Sequence, residues 1–87
     1  MKIKEGFILR EIAGSFIVVA VGDAVKNFNG VINLNPTGAF LWKKLSEGGD
    51  EQTLLKALLD EYEVDEQLAK RDIAMFIDKL KNTNLLI

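Results

Sequence analysis

The chain has a single proline, Pro36, and it divides two patterns of apolar spacing that belong to different kinds of structure. Before it lie short runs rich in β-branched and aromatic residues, the composition of strands. After it, apolar residues recur at spacings of three and four, the signature of helices with one buried face. Proline cannot donate to a β-ladder and biases its predecessor away from the helical region, so a strand ends here. It also suits the first position of a helix, and Asn35 before it is a good N-cap. Strands first and helices second describe a segregated α+β architecture.

Residues 7 to 12 and 15 to 21 flank Ala13-Gly14 and read as a hairpin. Gly14 allows the positive φ that a tight turn favours; Ala13 fits its position less well than Asn or Asp would, so the turn type stays open. From Gly22 to Gly30 the pattern breaks into Gly22-Asp23, Asn27 and Asn29-Gly30, residues that tolerate turn conformations, and is read as a loop. Residues 31 to 34 form a third short strand, completing a three-stranded antiparallel meander.

The first helix starts at Pro36, takes its apolar side from Ala39, Phe40, Leu41, Trp42 and Leu45, and stops at Ser46-Glu47-Gly48-Gly49. Phe40 and Trp42 are read as core. Asp50 caps a second helix whose Leu54, Leu55, Leu58, Leu59 and Tyr62 share one face. Asp65 caps a third, residues 66 to about 82, where Ala69, Ile73, Phe76 and Leu80 form a stripe flanked by Ile77 and Ala74 on one side and Leu68 and Met75 on the other. So wide an arc belongs either to a central helix touching neighbours on two sides or to one that lines a groove for a partner. The terminal Leu85-Leu86-Ile87 packs on the core or adds a short extended piece.

Eighty-seven residues support one core, and residues 1–87 are read as a single domain. There is no cysteine and no histidine, which removes disulfides, thiolate nucleophiles, imidazole bases and the usual zinc ligand sets. Asp60, Glu61, Glu63, Asp65 and Glu66 do not fall at the alternating positions of a calcium loop and read as caps and solvated helix ends. The glycines make no phosphate-cradling motif. No enzymatic activity, metal or cofactor is expected. Residues 1 to 49 carry six Lys/Arg against four Asp/Glu and residues 50 to 87 five against nine, a balance that counts against a nucleic-acid partner. No stretch approaches the roughly 18 apolar residues of a membrane span, and the expected location is cytoplasmic.

Surface shape remains as a source of function. A meander whose third strand has a free edge offers unpaired N–H and C=O groups beside a helix, the arrangement used in strand addition. The same edge leaves dimerisation open.

The run from Gly30 to Trp42, the acidic helix from Leu55 to Tyr62 with Glu63-Val64-Asp65, and the segment from Asp72 to Leu80 ending in Leu85-Leu86 resemble the PqqD family, coenzyme PQQ synthesis protein D and its relatives. The most specific piece is Leu34, Asn35, Thr37, Gly38 and Trp42, and the likeness covers nearly the whole chain. It implies a winged-helix-like fold, a three-stranded antiparallel sheet followed by a three-helix bundle. It also implies a role: members called RiPP recognition elements bind the leader segment of a ribosomally made precursor peptide and deliver it to a modifying enzyme, often a radical SAM protein. The leader adds to the third strand and packs against the third helix.

Carried onto this chain, the resemblance places the peptide along Gly30, Val31, Ile32, Asn33 and Leu34, facing helix residues Leu68, Arg71, Ala74, Met75 and Asp78. Alternation lets only one of the sets Val31/Asn33 and Ile32/Leu34 line the groove while the other packs inward, and the sequence does not choose. Residues 21 to 25 and 28 to 30 look more like the broader PqqD-like group than like the proteins of PQQ assembly. The competing reading is a winged-helix nucleic-acid-binding regulator. A third is a subunit that docks on a folded partner by the third helix.

Overall fold

The computed structural model describes residues 1–28 and 30–87. Asn29, assigned above to the loop before the third strand, lies outside them. Strands β1 (Phe7–Ile12) and β2 (Ser15–Ala20) pair as an antiparallel hairpin, with Ile12 opposite Ser15. At the turn both Ala13 (φ 50°) and Gly14 (φ 81°) have positive φ, as a type I′ turn requires. Alanine thus accepts a conformation that Asn or Asp would enter more readily.

The following segment is not wholly irregular: Gly22–Lys26 forms a short 3₁₀ helix. Phe28 beyond it meets Phe7 edge to face, with ring centroids 5.2 Å apart, and so ties the connection back to β1. The third strand, β3 (Ile32–Leu34), is one residue shorter than the sequence pattern suggests and pairs antiparallel with β2, giving the order β1-β2-β3.

Helix α1 (Pro36–Ser46) begins where the proline places it, and the Gly38 N–H donates to the Asn35 side chain at 2.7 Å. Helix α2 (Glu51–Glu61) is capped by Asp50, which accepts from the Thr53 N–H at 2.9 Å and the Thr53 hydroxyl at 3.1 Å. Helix α3 (Glu66–Asn82) has the expected span, but its cap departs from expectation. Asp65 has the extended backbone of an N-cap while its side chain makes no capping hydrogen bond. Its carboxylate acts there only as a negative charge near the positive end of the helix dipole.

One face of the sheet, through Val18, Ile32 and Leu34, meets Leu41, Trp42 and Leu45 of α1, Leu54 and Leu58 of α2, and Ile73, Phe76, Ile77 and Leu80 of α3. Every buried residue among those described is apolar or glycine. Full burial of each large side chain contributes about 1.5–3 kcal/mol, and this continuous cluster holds the helices against so small a sheet. Trp42 is buried, whereas Phe40 sits at the rim against Tyr62 with Lys44 over its ring.

Both readings of the C-terminal residues hold together. Leu85 is fully buried, and the segment also pairs with the N-terminus: the Lys4 N–H donates to the Leu85 carbonyl, the Ile87 N–H donates to the Lys2 carbonyl, and Ile3 bridges Leu86. The two ends of the chain therefore close on each other, and β3 is left with β2 as its partner among the described residues.

Candidate functional site

Among the described residues β3, like β1, has a strand neighbour on one side only, so its outer margin is a place where this sheet can grow. Burial decides which residues face the core. Ile32 is 6% and Leu34 8% exposed, whereas Val31 is 53% exposed and Asn33 also lies at the surface.

A side chain of α3 shows how the backbone is turned. The Lys79 ammonium donates to the Asn33 carbonyl at 2.6 Å. A carbonyl engaged from α3 rather than from β2 belongs to the free margin. In an antiparallel ladder the N–H and C=O of one residue point to the same side, and alternate residues point to opposite sides. Asn33 therefore offers its N–H and C=O outward, while Ile32 and Leu34 turn theirs toward their partners Val18 and Phe16.

Beside this margin, Leu34, Asn35, Thr37, Gly38 and Leu41 on one wall and Asp72, Met75, Phe76 and Lys79 on the other enclose a cavity of about 160 Å³. A space of roughly 150 Å³ takes a benzene ring, so this one suits a single aliphatic or aromatic side chain. Its floor is apolar through Leu34, Leu41, Met75 and Phe76, and Asp72 and Lys79 supply a charge of each sign. These two lie two turns apart on α3, roughly 10 Å along its axis.

Met75 is 62% and Leu68 41% exposed, while Ile77 on the opposite flank of the stripe is buried. The stripe and Ile77 are thus core, while Leu68, Ala74 and Met75 are uncovered. Gly30, with φ 99°, and Val31 lead into β3 at the surface.

Of the helix residues put forward from the sequence, Met75 lines the cavity. Leu68 shares its stripe two turns nearer the helix start. Arg71, Ala74 and Asp78 are exposed on a stripe rotated by about 100° and do not line the cavity. The structure brings in residues that the sequence reading passed over: Asp72, Phe76 and Lys79 from α3, and Asn35, Thr37, Gly38 and Leu41 from the start of α1. The spacing of Leu68, Asp72, Met75 and Lys79, at four, three and four, was the available signal; two charged members hid it from a search for apolar faces.

No helix among the described residues is long and apolar enough to cross a membrane. The sequence matches the model of the family described as coenzyme PQQ synthesis protein D (PqqD) over residues 15–86. No curated protein matches the chain significantly. Among solved structures, TbiB1 in complex with the TbiA(beta) leader peptide is similar, with 26% identity, a TM-score of 0.77, and coverage of 99% of this chain and 94% of that one. A lasso peptide synthetase B1 complexed with the leader peptide is similar in fold, at 22% identity and a TM-score of 0.75, covering 99% of this chain and 95% of that one.

Proposed function

The chain belongs to the PqqD family, and from that premise we propose that it is a non-catalytic adaptor, one unit over residues 1–87, that binds the leader segment of a ribosomally made precursor peptide and presents it to a modifying enzyme. The leader adds as a strand along residues 30 to 34 and sets one side chain into the cavity against Leu34, Leu41, Met75 and Phe76. The observation that carries this reading is the outward-facing backbone of Asn33 beside a cavity with an apolar part and a charged rim. Backbone pairing sets register there, and the cavity selects the residue that fills it. The likeness to two structures that hold leader peptides supports the same reading.

Nucleic-acid binding finds less support. Lys70 is paired with Glu66 at 3.4 Å and Lys79 is engaged by a backbone carbonyl, and Arg71 and Lys81 are interspersed with Asp72 and Asp78, so α3 presents no uninterrupted basic stripe.

An amide-resolved NMR titration tests the adaptor, using the N-terminal segment of a candidate precursor peptide. Saturable shifts at residues 30 to 34 and at Asp72, Met75 and Lys79 are expected. Shifts confined to α2 and the β1–β2 hairpin would exclude strand addition at β3.

A further inference from the structure

Among the described residues, the bond from Lys79 to Asn33 is the only side-chain hydrogen bond that joins α3 to β3. It places an ammonium on the acceptor that an added strand needs for its own N–H. Neither of the ion pairs among the described residues includes Lys79, so its charge rests on a neutral carbonyl. A strand arriving at the margin displaces it. The Lys79 stem starts from the helix face that lines the cavity, so the freed ammonium stays beside whatever side chain the guest presents there.

Asp72, the other charged residue of the cavity wall, shares this helix face but starts two turns away with Met75 between, and it forms no ion pair with Lys79. A neutral guest residue at this point leaves the charge partly desolvated, and a basic one adds repulsion. An acidic one restores a charge-assisted hydrogen bond, stronger than the bond to the carbonyl that was lost.

We propose that Lys79 is a specificity-determining residue of the groove: on strand addition it leaves the Asn33 carbonyl and pairs with an Asp or Glu side chain of the bound segment. This inference rests on the strand-addition reading and names the class of peptide that reading requires. Side chains on one face of a strand are two residues apart. The acidic residue therefore stands an even number of positions from the apolar residue that fills the space over Leu34, Leu41, Met75 and Phe76.

The test is selection from a displayed library of randomised 15-residue peptides against the full chain and against Lys79→Met, Lys79→Arg and Lys79→Glu. Affinity alone is ambiguous, because removing Lys79 both frees the Asn33 carbonyl and deletes the cation; charge preference is not. Peptides retained by the native chain should show Asp or Glu enriched up to about fivefold at one position, the upper range expected for an exposed ion pair. Lys79→Arg should keep this preference, Lys79→Met should lose it while retaining the apolar anchor, and Lys79→Glu should turn it toward Lys or Arg. The same acidic preference in the native chain and Lys79→Met, or none in the native chain despite a retained anchor and NMR shifts at β3, overturns the role of Lys79 alone. No enriched peptide, or enriched peptides that shift amides remote from β3, overturns strand addition and this inference with it.

Discussion

If Asn33 faces the free margin and Ile32 faces β2, proline should have opposite consequences at these adjacent positions. At Asn33 it removes an N–H that no strand uses in the free protein, and proline is tolerated on such margins. The cost should be about 1 kcal/mol from local backbone adjustment, a fall in Tm of about 5 °C for a domain of this size. At Ile32 the ring removes an N–H directed at Val18 and replaces a side chain that is only 6% exposed. Lost packing contributes about 2 kcal/mol and the broken ladder bond with its orphaned acceptor about 2 more, so Ile32→Pro should lower Tm by about 20 °C. Binding reverses the order of interest. Asn33→Pro, still folded, leaves a guest carbonyl unpaired and should weaken a retained peptide tenfold or more, roughly 1.4 kcal/mol. Asn33→Ala, which keeps the N–H, should bind nearly as the native chain does. Thermal melts and calorimetric titration of these variants provide the readings. Equal destabilisation by the two prolines would refute the assignment of the outward residue, and with it the position of the added strand.

Other consequences are independent of any ligand. Asn35→Ala removes the acceptor of the Gly38 N–H and should cost about 1 kcal/mol in a denaturant titration, whereas Asn35→Asp should cost much less; equal losses would deny the cap its role. The backbone N–H of Thr53, and then its hydroxyl, hold the Asp50 carboxyl below its ordinary value of 3.8. A lowered folded value gives stabilisation that is complete above the unfolded value and is lost as pH falls through the folded one. The Tm difference between the native chain and Asp50→Ala should therefore be constant near neutrality and shrink below pH 3.8, and a gap unchanged in acid would contradict this. Removing residues 85 to 87 empties the fully buried Leu85 site and frees the Lys2 and Lys4 backbone, so a loss of about 3 kcal/mol or more is expected by denaturant melt, against almost none if the ends merely touch.

Much of this arrangement is legible in the sequence because local and tertiary preferences agree. Asn35-Pro36 marks the passage from strand to helix, and the span of α3 follows from its periodicity and flanking residues. Elsewhere the signals were degenerate. Gly22–Lys26 has the composition of any turn, and nothing local distinguishes a 3₁₀ helix from an irregular loop. The period of two along residues 31 to 34 fits either face of the sheet, and only contact with the helices selects Ile32 and Leu34 as inward. The cavity's helical wall is not legible for a related reason: of the helix residues expected from the sequence, Met75 is the one that lines it. Apolar stripes mark core faces, whereas this cavity wall is partly exposed, so Asp72 and Lys79 sit beside Met75 without penalty.

The Asn35-Pro36 junction also limits what the margin can do. By starting α1 at once, it holds β3 to three residues, of which only Asn33 presents both backbone groups outward, with Val31 continuing the same alternation before the strand. Two such residues offer a guest about four hydrogen bonds, and at about 1 kcal/mol net each these total about 4 kcal/mol, equivalent to millimolar affinity before ordering costs are charged. Backbone pairing alone therefore aligns any extended segment and retains none. Retention must come from side chains, and the cavity beside the margin carries both the apolar groups of Leu34, Leu41, Met75 and Phe76 and the Lys79 ammonium. On the strand-addition proposal, a short margin thus makes binding depend on guest sequence, where a long unpaired strand would pair with extended chains indiscriminately and invite aggregation.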